Sequence, residues 1–124
     1  MGSIFKLRAF ARFQRKERIS DAALAAAIGN ADNGLVDADL GGGLIKQRVA
    51  RIGQGKSGGF RTVIAFRRDE RAVFLFGFAK NERKNINAED LEDFKYLARE
   101  YLELDTNQVE SMIKFDEFIE VYYE

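Results

Sequence analysis

The chain has 124 residues, no cysteine and no histidine, with 46% hydrophobic and 32% charged residues. This length suits one compact domain, and the composition argues against wholesale disorder and against a membrane span. Without histidine, Ser/His/Asp triads, imidazole general bases and His-rich zinc sites are excluded, which leaves carboxylate, amine, guanidinium and phenol chemistry. Without cysteine there are no disulfides, and because the amino terminus lacks an apolar signal core, the sequence predicts a cytoplasmic protein.

The charges are segregated along the chain although they sum to zero. Residues 1–85 hold 17 basic and 8 acidic side chains, a net charge of +9, whereas residues 86–124 hold 3 basic and 12 acidic ones, a net charge of −9. A basic body predicts a polyanionic partner. We expect a single domain over residues 1–124, with an acidic extension from about residue 105. Two roles are open for this extension: it shields the basic body from non-specific RNA, or its apolar residues belong to the core or to an edge strand.

The first part of the chain predicts a short strand followed by two helices. The opening residues alternate between two faces as far as Ala9, which is typical of a strand. Phe10 and Phe13, three residues apart, indicate a helical turn. Ser20 is a suitable N-cap for a second helix that stops near Gly34.

Three segments with the composition of strands follow and should form an antiparallel meander. They are Leu44–Arg51, Phe60–Arg68 and Ala72–Lys80, the last two joined by a tight turn. Counted with a period of two, Phe74, Phe76 and Phe78 share one face of the last strand. These rings are either core residues or a platform for stacking RNA bases.

The carboxyl-terminal part predicts two helices and an aromatic segment, which makes the fold class α+β. Asn87 followed by Asp90 resembles a capping box for a helix that ends at about Leu104. A second helix starts at Asp105 or Thr106, and the last segment fits an edge strand or a packed tail. An inner apolar stripe on the first of these helices is predicted at Leu91, Phe94, Ala98 and Tyr101.

A glycine-rich stretch around Gly55-Lys56-Ser57 superficially matches a phosphate-binding loop. That motif requires a glycine five residues earlier, where this chain has Ala50, and a helix afterwards, where a strand is predicted from Phe60. Two interpretations remain. The stretch is a flexible hairpin loop, or its backbone N–H groups and Lys56 contact a nucleic-acid phosphate.

Basic side chains share faces of the predicted strands. The period of two places Lys46 and Arg48 on one face and groups Arg61 with Arg67 on another strand. From Gly43 to Lys84 there are 11 basic and 3 acidic residues. A merely solvated face is the alternative for each single residue, but a cluster of this size favours an anionic partner because its self-repulsion is costly.

A resemblance to a known family lies in three blocks of the sequence, Asp37–Gly43, Gly53–Thr62 and Phe74–Arg83. They resemble the RelE/ParE superfamily of toxins from bacterial type II toxin-antitoxin systems, in its RelE/HigB-like branch, over about residues 3–104. The resemblance implies a small RelE-like fold and an endoribonuclease that cleaves mRNA, often on the ribosome, through attack of the ribose 2′-hydroxyl on the adjacent phosphate. It also implies no metal or other cofactor, and an antitoxin partner, for which a small helix-turn-helix protein is one candidate.

The same resemblance assigns roles to individual basic residues. Arg61 and Arg83 would hold the scissile phosphate, and the acid or base would come from Lys46, Arg48 or Lys80. Further RNA contacts are predicted for four other members of the basic cluster, Arg51, Lys56, Arg67 and Lys84. The alternative is a non-enzymatic protein of the same fold, such as a gyrase inhibitor or a degenerate RNA-binding module.

Overall fold

Helices and strands form an α+β fold, as the sequence predicts. The computed structural model describes residues 1–51, 55–79 and 86–122, and side chains for residues 1–50, 59–79 and 86–122. In chain order the elements are β1 (Ser3–Leu7), α1 (Arg8–Glu17), α2 (Asp21–Asp32), β2 (Ala38–Gly41), β3 (Leu44–Arg51), β4 (Gly55–Arg67), β5 (Arg71–Ala79), α3 (Ala88–Leu102), α4 (Thr106–Lys114) and β6 (Phe118–Glu120). None of the helices in these ranges is long and apolar enough to cross a membrane.

The strands form one sheet in the order β2-β3-β4-β5-β1-β6. The predicted antiparallel meander is confirmed as β3, β4 and β5, while β1 lies parallel to β5. Two short strands extend this sheet. The sequence did not predict β2, and β6 settles the choice left open for the last segment, because it pairs antiparallel with β1 as an edge strand.

Two hydrophobic clusters cover the two faces of the sheet, which places it between two layers of helices. The first cluster joins the sheet to α1 and α2 and includes Phe10, Leu24, Ile28, Ile64 and Phe74. The second joins it to α3 and α4 and includes Leu44, Val63, Ala98, Leu102 and Phe118. The predicted inner stripe of α3 is confirmed, since all four of its residues belong to the second cluster or pack against it.

Side-chain caps begin three of the helices where the sequence predicts them. Ser20, Asn87 and Asp105 each accept a hydrogen bond from the backbone N–H three residues further on, at 2.8 to 3.1 Å. At the start of α4 the bond is reciprocal, since the Gln108 side chain accepts from the Asp105 backbone N–H at 2.8 Å. The starts of α2, α3 and α4 therefore follow from local signals.

Two predicted strand boundaries differ from the structure by more than one residue. The chain turns into α1 at Arg8 instead of continuing as a strand. The strand expected from Phe60 begins at Gly55, so most of the glycine-rich stretch is part of β4 and not a hairpin loop. Gly59 suits this position because a Cβ there would overlap the carbonyl oxygen of Val49 on the neighbouring strand.

The prediction that Phe74, Phe76 and Phe78 share one face was also wrong, because β5 contains a bulge. Ile64 of β4 pairs with Phe74, but the preceding residue of β4 pairs with Phe76, so Leu75 is an extra residue. One extra residue reverses the face of every side chain that follows it.

The rings therefore pack on opposite sides of the sheet. The Phe74 ring lies 5.0 Å from that of Phe10 in α1, and the Phe76 ring lies 5.5 Å from that of Phe94 in α3. Phe74 and Phe78 are buried, and Phe76 contacts Phe78 at 6.0 Å. These rings serve as core residues, which is the simpler of the two interpretations.

The acidic extension is built into the fold. Phe118 and Val121 are buried, and the Phe118 ring lies 5.1 Å from the rings of both Phe5 and Tyr101. This packing supports the second role considered for the extension, in which its apolar residues are structural. It also places β6 at the opposite edge of the sheet from β2, with three strands between β6 and β3.

A partly buried polar network joins the extension to the first half of the chain. The Asp21 carboxylate accepts hydrogen bonds from Lys6 Nζ at 3.0 Å, from Gln14 Nε2 at 2.8 Å and from the backbone N–H of Tyr122 at 3.1 Å. Burial by itself raises the pKa of Asp21, but these hydrogen bonds and the Lys6 charge outweigh burial and hold that pKa below its ordinary value. The network therefore stabilises the fold with Asp21 ionised.

Candidate functional site

Three of the predicted site residues meet on the α3 side of the sheet. In the register of β3 and β4, Arg48 lies directly opposite Arg61, and Lys46 lies opposite Val63 of the second cluster. Directly opposed Cα atoms are about 5 Å apart, and residues two apart on a strand about 7 Å. Lys46, Arg48 and Arg61 therefore form one group, which we call the cationic face.

The guanidinium of Arg61 contains an unsatisfied donor. Arg61 is half-buried, and its Nη1 atom is shielded from solvent and has no hydrogen-bond partner among the described residues. Its cross-strand neighbour on β5 is the buried ring of Phe78, which offers no acceptor. A buried donor of this kind carries a desolvation cost that an anionic ligand would remove.

Side-chain hydrogen bonds of Asp37 and Gln47 fix β3 beside α2. Asp37 Oδ2 accepts from the backbone N–H of Arg48 at 2.6 Å, and the Asp37 N–H donates to Gln47 Oε1 at 3.0 Å. The buried Gln47 side chain in turn donates to the carbonyl oxygens of Ala27 and Leu35 at 3.1 and 2.8 Å. Asp37 and Gln47 are positioning residues for the cationic face. Sequence periodicity did not identify them because their partners lie 10 to 20 residues away.

Arg67 lies far from the cationic face. It is six residues from Arg61 along β4, a separation of about 20 Å. Its Nη1 donates to the carbonyl oxygen of Leu102 at 2.8 Å, and the neighbouring Arg71 donates to the carbonyl oxygens of Tyr101 and Leu104, both at 2.9 Å. The two arginines therefore satisfy carbonyl groups at the carboxyl end of α3. Burial, together with the positive charge of Arg67, lowers the pKa of Arg71.

The other predicted site residues cannot be placed relative to the cationic face. Arg51 and Lys56 belong to β3 and β4, but their side chains are outside the described set. Lys80, Arg83 and Lys84 lie outside the described residues altogether. Their assignments stay predictions.

Comparison with protein families matches nearly the whole chain. A family model described as the RelE toxin of the RelE / RelB toxin-antitoxin system matches residues 2–121. A search of the curated proteins gives no match. The family match extends beyond the resemblance seen over residues 3–104 and includes α4 and β6. This protein belongs to the RelE family of toxins of toxin-antitoxin systems.

Proposed function

We propose that this toxin is an mRNA endoribonuclease that inhibits translation and is neutralised by a RelB-type antitoxin. The family match supports the toxin role, and the cationic face supports RNA as the target. The observation that carries the proposal is the shielded and unsatisfied Nη1 of Arg61, beside Arg48 and on the same face as Lys46. A phosphodiester supplies the anionic oxygens that such a group requires.

The proposed reaction uses the RNA's own nucleophile. The ribose 2′-oxygen forms a bond to the adjacent phosphorus, and the bond from phosphorus to the 5′-oxygen of the next nucleotide breaks, which leaves a 2′,3′-cyclic phosphate. Negative charge accumulates on the non-bridging oxygens in the transition state. Arg61 would donate to one of these oxygens, and Arg48, directly opposite on β3, would contact the same or the neighbouring phosphate.

Two protons must also move. The 2′-hydroxyl loses one to a base, and the leaving 5′-oxygen takes one from an acid. Because the chain has no histidine, amines are the candidates on this face. Lys46, half-buried and diagonal to Arg61, would protonate the leaving oxygen in its ammonium form, and Lys80, the other lysine predicted as acid or base, is the candidate base.

The proposal is tested by inducing the toxin without its antitoxin. Wild type should arrest growth, and primer extension on a translated message should show discrete cuts. Arg61→Ala should relieve toxicity and lower the cleavage rate by about 10²- to 10³-fold, as for loss of one charge-stabilising donor. Arg68→Ala is the matched control, because Arg68 is exposed in the turn after β4 and its one ion pair among the described residues is long, at 3.9 Å to Asp69.

Cleavage by purified protein, with and without ribosomes, then determines the substrate. Normal growth with accumulated wild-type protein would contradict the enzyme proposal. Unchanged mRNA together with inhibited DNA supercoiling would instead support the gyrase-inhibitor alternative. If Arg61→Ala melts like wild type and stays fully toxic, the cationic face is not the active site.

A further inference from the structure

A pocket of about 420 Å³ lies between the turn that joins β2 to β3, the end of β4 and helix α3. Gly42 and Gly43 of the turn and the buried Leu102 of α3 are among its lining residues. A Cβ on Gly43 would come within 2.6 Å of the Leu102 side chain, so the turn packs closely against the helix. Among the described residues that line this pocket, none belongs to the cationic face.

Three cationic side chains line the pocket, and none of them forms an ion pair with an acidic residue in the described part of the chain. They are Arg67, Lys95 and Arg99. Glu92 and Glu103 also line the pocket, but both are exposed and stay outside ion-pair distance of these cations. An unpaired cationic cluster repels itself, and a bound anion removes this cost.

Helix α3 places all of its positive charge at this pocket. The helix contains five acidic and two basic residues, and both basic residues, Lys95 and Arg99, line the pocket. They are one turn apart, a rise of about 6 Å. Lys95 is half-buried, and its Nζ lies 3.7 Å from the position that a Cβ on Gly41 would take, so the side chain extends toward the turn. The result is a small cationic site on an otherwise acidic helix.

Arg67 and Tyr96 complete the set of groups that a ligand would meet. Arg67 donates one hydrogen bond, from Nη1 to the carbonyl oxygen of Leu102 at 2.8 Å, which leaves further guanidinium donors for a ligand. Leu102 follows Lys95 by seven residues, so the cations span about 10 Å along α3, more than a single phosphate group needs. The Tyr96 ring lines the pocket, is 54% exposed and lies 5.8 Å from the guanidinium carbon of Arg99.

We propose that this pocket binds a nucleoside diphosphate, with its phosphates held by the three cations and its base stacked on the Tyr96 ring. Lysine and arginine form their strongest hydrogen bonds with anionic oxygens, and an exposed aromatic ring stacks on a base. The volume of about 420 Å³ lies in the range of small-molecule sites. A small ligand fits better than RNA, because a longer polyanion would also meet the five acidic side chains of α3. This binding is independent of RNA cleavage.

The test is calorimetric titration of the full chain with adenosine diphosphate, at about 0.15 M salt so that weak surface attraction is screened. Wild type should bind one equivalent with a Kd below about 1 mM. The double variant Lys95→Ala/Arg99→Ala should bind at least about tenfold more weakly, because it removes two charged donors. The control Arg15→Ala/Arg68→Ala removes the same charge from exposed positions that do not line the pocket, and it should keep the wild-type affinity.

Further variants and ligands separate the role of the base from that of the phosphates. Tyr96→Ala should weaken binding at least about fivefold through lost stacking. Tyr96→Phe keeps the ring and loses only the hydroxyl bond to Glu100, so it should bind like wild type. Pyrophosphate should bind more weakly than adenosine diphosphate, and adenosine should not bind measurably. In NMR spectra the amide signals of Gly42 and Gly43 should shift on titration.

Three results would overturn the proposal: no saturable binding at millimolar adenosine diphosphate, equal affinities for the two double variants, or NMR shifts confined to the cationic face. If a polyuridine oligonucleotide shifts Gly42 and Gly43 while adenosine diphosphate does not, the pocket belongs to an RNA path and the proposal is wrong. RNA cleavage is measured separately on the same preparations, so failure of the nucleotide site and failure of the proposed function are distinguished.

Discussion

Replacing Phe118 with alanine should lower the free energy of unfolding by about 3–5 kcal/mol. The side chain is only 1% exposed, and its ring contacts those of Phe5 and Tyr101, each at 5.1 Å. The alanine variant loses the transfer free energy of a buried ring and also leaves a cavity between β1 and α3. Since β6 contains three residues, this one side chain provides a large share of its attachment.

Thermal unfolding followed by circular dichroism measures the effect. For a domain of this size, 1 kcal/mol shifts the melting temperature by about 3–5 °C, so Phe118→Ala should melt about 10–25 °C below wild type. The control is Glu120→Ala, an exposed residue of the same strand, which should stay within about 0.5 kcal/mol of wild type. Equal melting temperatures for the two variants would refute the conclusion that β6 is part of the core.

Three further changes test other parts of the fold. Deleting the residues after Leu104 should cause aggregation or lower the melting temperature by many degrees. A truncated chain that melts like wild type and binds RNA more tightly would show instead that the extension acts as a shield. In urea unfolding, Gly43→Ala should lower the free energy of unfolding more than Gly42→Ala does. Both glycines have positive φ, but only at position 43 would the new Cβ come within 2.6 Å of a Leu102 methyl carbon. Equal losses of unfolding free energy in the two variants would contradict this packing. Because the pKa of Asp21 is lowered in the folded protein, its ionised form contributes stability above about pH 4, and this stability is lost as the pH falls through the native pKa. The difference in melting temperature between wild type and Asp21→Asn should therefore shrink from about pH 5 to pH 2. A constant difference would show that ionised Asp21 contributes nothing to stability.

Local patterns predicted much of the fold because their causes are local. The caps at Ser20, Asn87 and Asp105 depend on residues within one turn, and the Leu44–Arg51 strand has the predicted bounds. The period of two also correctly predicted that Lys46 and Arg48 share one face, because alternation within a single strand does not depend on the strand it pairs with.

Features that depend on pairing between distant segments were not predictable in this way. The bulge at Leu75 arises from the register of β5 against β4, and a count within β5 alone places Phe76 on the wrong face. Arg67 looks like another member of the cationic group on β4, but its acceptor is a carbonyl 35 residues away on α3. The sequence identified Arg48 and Arg61 separately as candidate site residues. That they lie directly opposite each other depends on the register between β3 and β4, which a pattern within one strand does not contain.

The position of β1 has a consequence for how the protein is made. This strand is the first element of the chain, yet it pairs with residues 71–74 on one side and residues 118–120 on the other. Contacts between such distant segments slow folding, since long loops must close before any pairing energy is gained. The sheet cannot be completed until Glu120 has been synthesised, so β1 lacks one of its two neighbouring strands while the residues between them are translated.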